Sequence, residues 1–449
     1  MPAVGDARTS TRPLPSPRTA DRPDAGRGDR PTGASRRRLR RGARWLLALA
    51  LVLTALNLRP AISGLGPLLE EVRTGLGMGG TVAGLLTSVP ALCFALFGGV
   101  APRLARRLGP VTVVAAGTAA ITLGLALRPL APNTAVFLGC TALALAGIAV
   151  ANVLLPMVVK GWFPDRQGTM TGLYSMALAL GTAGAAAVTV PLAQRLGGDW
   201  RPGLLVWALP AAIALACWAV TLRRGVPRPS PEALAGSSPD PAGAPVRTPD
   251  EPGSTGSRPL RRSPTALALM LFFGLQSTAA YVTMGWMPQI FRDAGVPAVT
   301  SGLLLAVIMG MGVPLAFVLP RLAVRLPHQG PLVTLLGLCG LAGYIGLWLA
   351  PAQGAWAWAV LLGISGCAFP VALAMIGLRA RTPAGVGRLS GFAQSGGYLL
   401  AVPGPLIIGA LQETTGGWDV PLLLLTALMV LQIAVGVRAG RPGVVEDGA

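Results

Sequence analysis

Charge is what this sequence is short of. Of its 449 residues only 12% are Asp, Glu, Lys or Arg, while 52% are hydrophobic. A water-soluble protein of this size carries about twice that charged fraction. Acid is the scarcer sign, with 17 Asp and Glu against 37 Lys and Arg. The single histidine, His328, falls in a short loop. Five cysteines (Cys93, Cys140, Cys217, Cys339 and Cys367) are scattered through apolar runs without a CxxC spacing. They read as small apolar helix residues rather than disulfides or metal ligands. One His and no thiol cluster leave nothing from which to build a metal site or a Ser-His-Asp triad. No metal or cofactor is therefore expected. An enzyme is also unexpected, because no nucleophile, base and orienting group cluster.

What the sequence has in abundance is apolar runs of bilayer-spanning length, about 20 residues each. Twelve can be counted, at 45–69, 81–101, 111–128, 134–158, 168–193, 203–222, 265–291, 299–319, 331–349, 355–378, 388–411 and 419–437. The fold class is thus an all-α membrane protein with twelve transmembrane helices. Residues 1–44 are rich in Pro, Arg, Ser, Asp and Gly and are expected to form a disordered basic tail. A Pro/Gly/Ser linker over 223–264 divides the chain into bundles at 45–222 and 265–437, with a short tail at 438–449. The first apolar run is too long for a cleaved signal peptide and lacks a small-residue cleavage site.

The net charge of +20 would suggest nucleic acid in a soluble protein. Here its placement points elsewhere. With the N-terminus in the cytoplasm, 31 of the 37 Lys and Arg fall on cytoplasmic segments. Five (Arg73, Arg128, Arg195, Arg201 and Arg292) fall on outer loops, and Arg59 lies within a helix. That bias predicts a multi-pass protein of the cytoplasmic membrane with both termini inside. The basic stretches, "RRRLRRGAR" (Arg36 to Arg44) above all, are expected to touch anionic lipid rather than nucleic acid.

The two halves repeat. "PRLARRLGP" after the second run matches "PRLAVRLP" after the eighth, an offset of 218 residues. Gly172 and Gly391 are offset by 219, and Pro67 and Pro288 by 221. Near-constant offsets argue for duplication of a six-helix unit into two pseudo-symmetric bundles, the architecture of major facilitator transporters. Such a fold places its substrate near the midplane between the halves. A monomer is the expected state.

Arg59 is the residue that calls for a function. At 1.5 Å per residue it lies about 21 Å from Trp45 in a hydrocarbon core about 30 Å thick. Its side chain leans back toward the helix start and hence the midplane. A guanidinium at that depth costs roughly 2.5–3.5 kcal/mol on insertion scales. No Asp or Glu lies near the midplane of any run, and Glu70 is about 16 Å along the same stripe. An unpaired cation in a central cavity suits an anionic or strongly dipolar solute. The alternative is a structural arginine held by helix carbonyls and by Asn, Gln or Tyr side chains. The other candidates for the cavity wall are Asn57, Asn152, Gln276, Tyr281 and Gln394, with Tyr174 and Tyr398 less clear. Each could instead form an interhelical hydrogen bond. Asn57 lies about 160° around the helix from Arg59, so at most one of the two faces the cavity directly. Arg103, Arg106, Arg107, Arg321 and Arg325 are candidates for gate contacts or for topology determinants alone. Glu70 is the candidate proton carrier.

Four stretches taken together resemble one family. They are "LNLRPAISGLGPLL", "GIAVANVLLPMVVKGWFPDRQGTMTGLYS", "FGLQSTAAYVTMGWMP" and "GFAQSGGYLLAVPGPLIIGAL". The chain is similar over about residues 45–437 to the cyanate and 2-nitroimidazole transporter family of the major facilitator superfamily. The superfamily's loop motif G-x-x-x-D-R-x-G-R-R is half kept. Pro102 stands at the Asp and Ala105 at the second Gly, while Arg103, Arg106 and Arg107 match. The resemblance implies secondary transport of a small anion or polar nitrogen compound by alternating access. Export of neutral or anionic drugs is the alternative. A transporter-like sensor is a more distant one, since tail and linker lack any folded-domain pattern.

Overall fold

The computed structural model describes residues 33–225 and 260–445. The expectations for residues 1–32, for most of the linker and for the last four residues lie outside that range. The described chain is all helix and crosses the molecule twelve times. The spans are α1 (Trp45–Leu76), α2 (Gly80–Leu108), α3 (Pro110–Leu130), α4 (Thr134–Trp162), α5 (Gln167–Arg195) and α6 (Trp200–Arg223). They continue with α7 (Pro264–Asp293), α8 (Ala298–Leu315), α9 (Gly330–Leu349), α10 (Ala355–Leu378), α11 (Gly385–Thr415) and α12 (Asp419–Ala439). An even number of passes returns the chain to the face where α1 begins, here called the near face. The helical turns leading into α1 begin at Gly33, twelve residues before the expected start at Trp45, because the Arg-rich stretch continues them with good helix formers.

Proline sets the internal breaks. Pro60 lacks an N–H and would clash with the carbonyl four residues back, so α1 stops at Leu56 and restarts as Pro60–Ser63. The last amides before the break tighten into three-residue turns, Asn57 to Thr54 at 2.9 Å and Leu58 to Ala55 at 3.2 Å. Arg59 therefore occupies the capping position of a new short helix. Gly181 of α5 packs against the Leu56 carbonyl at the break so closely that a Cβ would lie 2.0 Å from its oxygen. Pro403 divides α11 in the same way, after Ala401.

At the face opposite the near face the two halves are fused. One apolar cluster there runs from Leu65, Leu68, Val72 and Leu86 of the first six helices to Trp286, Ile290, Leu304 and Leu425 of the last six. Glycines permit the approach. A Cβ at Gly66 would stand 2.1 Å from the Met284 carbonyl oxygen, and one at Gly84 would stand 2.8 Å from the Leu406 Cα. Gly409 lies against the Gly80 carbonyl at 2.4 Å by the same measure. Small residues that let helix backbones touch are the usual currency of packing in lipid. Polar locks reinforce the seam. Arg292 Nη1 donates to Glu71 at 2.8 Å and to the Pro67 carbonyl at 3.2 Å. The Thr81 amide and hydroxyl donate to Glu413 at 2.8 and 2.7 Å. Toward the near face, a separate cluster (Phe272, Phe273, Ala323, Met375, Leu389) belongs to the last six helices alone.

This packing makes a specific prediction. With the native cysteines replaced, a Glu71→Cys/Arg292→Cys pair should be joined in high yield by a short bis-maleimide. Adding Gly66→Val should lower that yield several-fold by wedging α1 from α7. An unchanged yield would mean that the seam does not depend on the Gly66 contact.

Candidate functional site

Arg59 emerges from the break in α1 into the space between the halves. It is half-buried. Its guanidinium carbon lies 5.7 Å from the centroid of the Phe94 ring, a cation–π contact. The Tyr281 hydroxyl is within hydrogen-bonding reach of it, and Tyr174 and Tyr398 are near enough to feel its charge. Among the described residues no carboxylate pairs with it. Glu70 is held by Arg73 at 3.2 Å and Glu71 by Arg292 at 2.8 Å. Glu413 faces Thr81.

A cavity of about 180 Å³ opens beside Arg59 and extends among α7, α8, α9, α10, α11 and α12. Of the residues expected at the site, Arg59, Gln276 and Tyr281 line it together. Gln276 has its amide committed, since Nε2 donates to the Gly366 carbonyl at 3.2 Å and Oε1 accepts from Gln432 at 2.7 Å. Asn152 and Gln394 line a smaller recess, shared with Phe94 and Tyr398. The Tyr174 hydroxyl stands 3.5 Å from Asn152 Oδ1, and Gln394 donates to Ser390 at 2.6 Å. Asn57 lines neither space. It is fully buried in the break of α1 and turns its amide back to the Leu53 carbonyl at 2.7 Å, so it is not brought to the cavity, contrary to expectation.

Phe94, Phe273 and Tyr344 escaped the sequence reading, which named Tyr281, with Tyr174 and Tyr398 less clear. Phe94 stacks on Tyr398 at 5.4 Å, and Phe273 meets Tyr398 edge-on at 5.1 Å. Rarity was the available signal. The chain has four tyrosines. Tyr281, Tyr344 and Tyr398 line the cavity, and Tyr174 borders the recess through Asn152. Arg128 corrects an expectation. Counted as an outer-loop charge, it is fully buried beneath α1. Its Nη1 donates to the Ala61 carbonyl at 2.9 Å, an acceptor freed because the Leu65 amide bonds to Ile62 instead. The side chain lies over the Phe137 ring at 5.7 Å. Arg103, Arg107, Arg321 and Arg325 are exposed at the near-face ends of their helices, and among the described residues none has an ion-pair partner. The described residues assemble no group of three or more metal-ligating side chains.

Among the described residues, twelve apolar crossings accompany a cavity walled by Arg59 of α1 and by the last six helices. The model of the Major Facilitator Superfamily matches residues 46–366. The chain belongs to the Major Facilitator Superfamily. It is 32% identical over 399 residues to the 2-nitroimidazole transporter of Escherichia coli (strain K12), covering 89% of this chain and 96% of that one. It is 30% identical over 392 residues to the cyanate transport protein CynX of the same organism, covering 86% and 96%. The crystal structure of a D-xylose-proton symporter shares the fold, with a TM-score of 0.69 at 14% identity over 89% of this chain and 98% of that one. The chain is accordingly a multi-pass membrane transporter for a small solute and not an enzyme.

The Gln276 bonds carry a prediction about which polar residues are structural. Gln276→Ala strands the Gln432 amide in a buried setting, at a cost of about 1–3 kcal/mol. The melting temperature of the solute-free protein should fall by several degrees. No fall would show that the network carries no stability.

Proposed function

We propose that the chain is a secondary active transporter that moves a small anionic or polar solute across the cytoplasmic membrane by alternating access. The observation that carries this reading is Arg59, a permanent cation at the cavity wall with no carboxylate partner among the described residues. A guanidinium offers a fork of donors to an anion or a strong dipole. The names of the cyanate and 2-nitroimidazole transporters, for solutes of that chemistry, support it.

The charge bias puts the near face and both termini in the cytoplasm. The glycine seam and the Arg292–Glu71 pair then close the outer side, and solute enters or leaves Arg59 from the cytoplasm. Rocking the halves apart at the seam, about hinges at Pro60 and Pro403, gives the outward-open state. Arg103, Arg107, Arg321 and Arg325, exposed at the near face, serve as gate contacts between the bundles. Asn152, Tyr281 and Gln394 complete the solute's surroundings. The anionic lipids of the inner leaflet hold the basic segments, and the transporter works as a monomer.

Import of a monoanion against about −100 mV costs roughly 2.3 kcal/mol, which a co-moving proton would cancel. Export needs no such help, and the aromatic walls also suit exported neutral or anionic drugs. Glu70, half-buried, is the carboxylate nearest Arg59 along α1, and it serves as the proton carrier for import. Under this scheme Glu70→Gln abolishes accumulation in proteoliposomes but spares solute exchange. Accumulation that survives would exclude that route.

The test of the main reading uses purified protein and a panel of small anions and nitroimidazoles, scored by thermal shift, with Arg59→Gln alongside. A stabilising solute whose effect vanishes in the variant places the solute on Arg59. Solute-free Arg59→Gln should melt within about a degree of the parent or above it, because an unpaired, part-buried charge has been removed. A large fall, with solute effects intact, would make the arginine structural.

A further inference from the structure

We propose that the cavity is built for an organic monoanion with a ring-sized apolar body, such as a monocyclic carboxylate, in preference to a bare triatomic anion. This rests on the reading of Arg59 as the solute's anchor.

The first argument is size. The cavity has a volume of about 180 Å³, and an apolar cavity of about 150 Å³ takes a benzene ring. A triatomic anion would leave much of that space to water, whereas a six-membered ring with a carboxylate suits it. The second argument is which polar groups are free. Gln276 is committed to Gly366 and Gln432. Tyr344 is within hydrogen-bonding reach of Thr283. Ser277 is different, being 2% exposed with a buried Oγ that has no partner among the described residues. Ser277 and Tyr281 lie one turn apart on α7, and both line the cavity with Arg59. A guanidinium and two hydroxyls suit the two oxygens of one carboxylate.

The third argument is the rest of the wall. Met284, Ile308, Met309, Leu362, Phe369 and Met429 offer a ligand no hydrogen bond from their side chains. A small inorganic ion would leave these side chains against trapped water. A ring would displace that water and bury the thioether and aliphatic surface, and methionine adapts its shape to such a body. One anchored anionic head and a large apolar remainder is the layout of a site that selects by both charge and bulk.

The experiment measures affinities of the purified full chain for benzoate, cyclohexanecarboxylate, benzamide, acetate and cyanate. The two carboxylates with rings should bind at least about tenfold more tightly than acetate or cyanate. Benzamide, of the same shape but uncharged, should bind at least about tenfold more weakly than benzoate. Arg59→Gln should abolish the preference for benzoate over benzamide. Met309→Gln, near-isosteric at a half-buried position, should weaken benzoate several-fold and leave acetate unchanged. Acetate or cyanate binding as tightly as benzoate, with both lost in Arg59→Gln, would overturn the inference and keep Arg59 as anchor. Benzoate binding equally well in Arg59→Gln would overturn the anchor and the inference with it. Failure of every probe would overturn both.

Discussion

A guanidinium stays charged at any pH a cell meets, so placing one inside a membrane protein commits its surroundings to satisfying it. Around Arg59 that commitment is met by aromatic faces and hydroxyls instead of carboxylate. The Phe94 face and the tyrosine hydroxyls steady the cation without neutralising it. The positive potential therefore remains available to whatever enters. Had Glu70 or Glu71 reached the same point, the cavity would have been electrically closed and its attraction for anions lost. Both acids are instead engaged at the far end of α1.

The backbone around Arg59 serves the same end. Proline breaks the helix, and the break leaves carbonyls that lipid cannot satisfy. The Ala61 carbonyl is taken by Arg128. Gly181 packs close against the Leu56 carbonyl, where a side chain would not fit. Irregular backbone at this depth survives where it is enclosed by protein or faces a cavity, and α1 has protein on one side and the cavity on the other.

The architecture was legible from the sequence because lipid imposes a strong and simple code. Twelve runs of the right length, a spacer and a basic bias were enough to give the helix count. Arg59 was legible for the same reason, since a charge among apolar residues has few explanations. Asn57 and Gln276 looked alike by repeat offset but have different fates. One folds back on its own helix, and the other bridges three. Side-chain direction within a helix decides such cases, and spacing alone gives it only coarsely. Phe94, Ser277 and the methionines resemble ordinary lipid-facing or core residues until neighbouring helices are in place. Arg128 was misplaced because a residue at a helix end can snorkel to water or turn inward. The choice depends on the orphaned Ala61 carbonyl 67 residues away.

The Thr81–Glu413 contact has a consequence beyond holding two helices together. Thr81 lies in the first turn of α2, where backbone amides lack partners within the helix. The residue at the capping position, Gly79, has no side chain to satisfy them. Glu413 of α11 does so from the other half of the molecule, and its charge sits at the positive end of the α2 dipole. Separating the halves at this face thus strips a helix of its cap. Under the proposed rocking of the halves, the first turn of α2 would exchange a carboxylate for water when the face opens and regain it when the face closes.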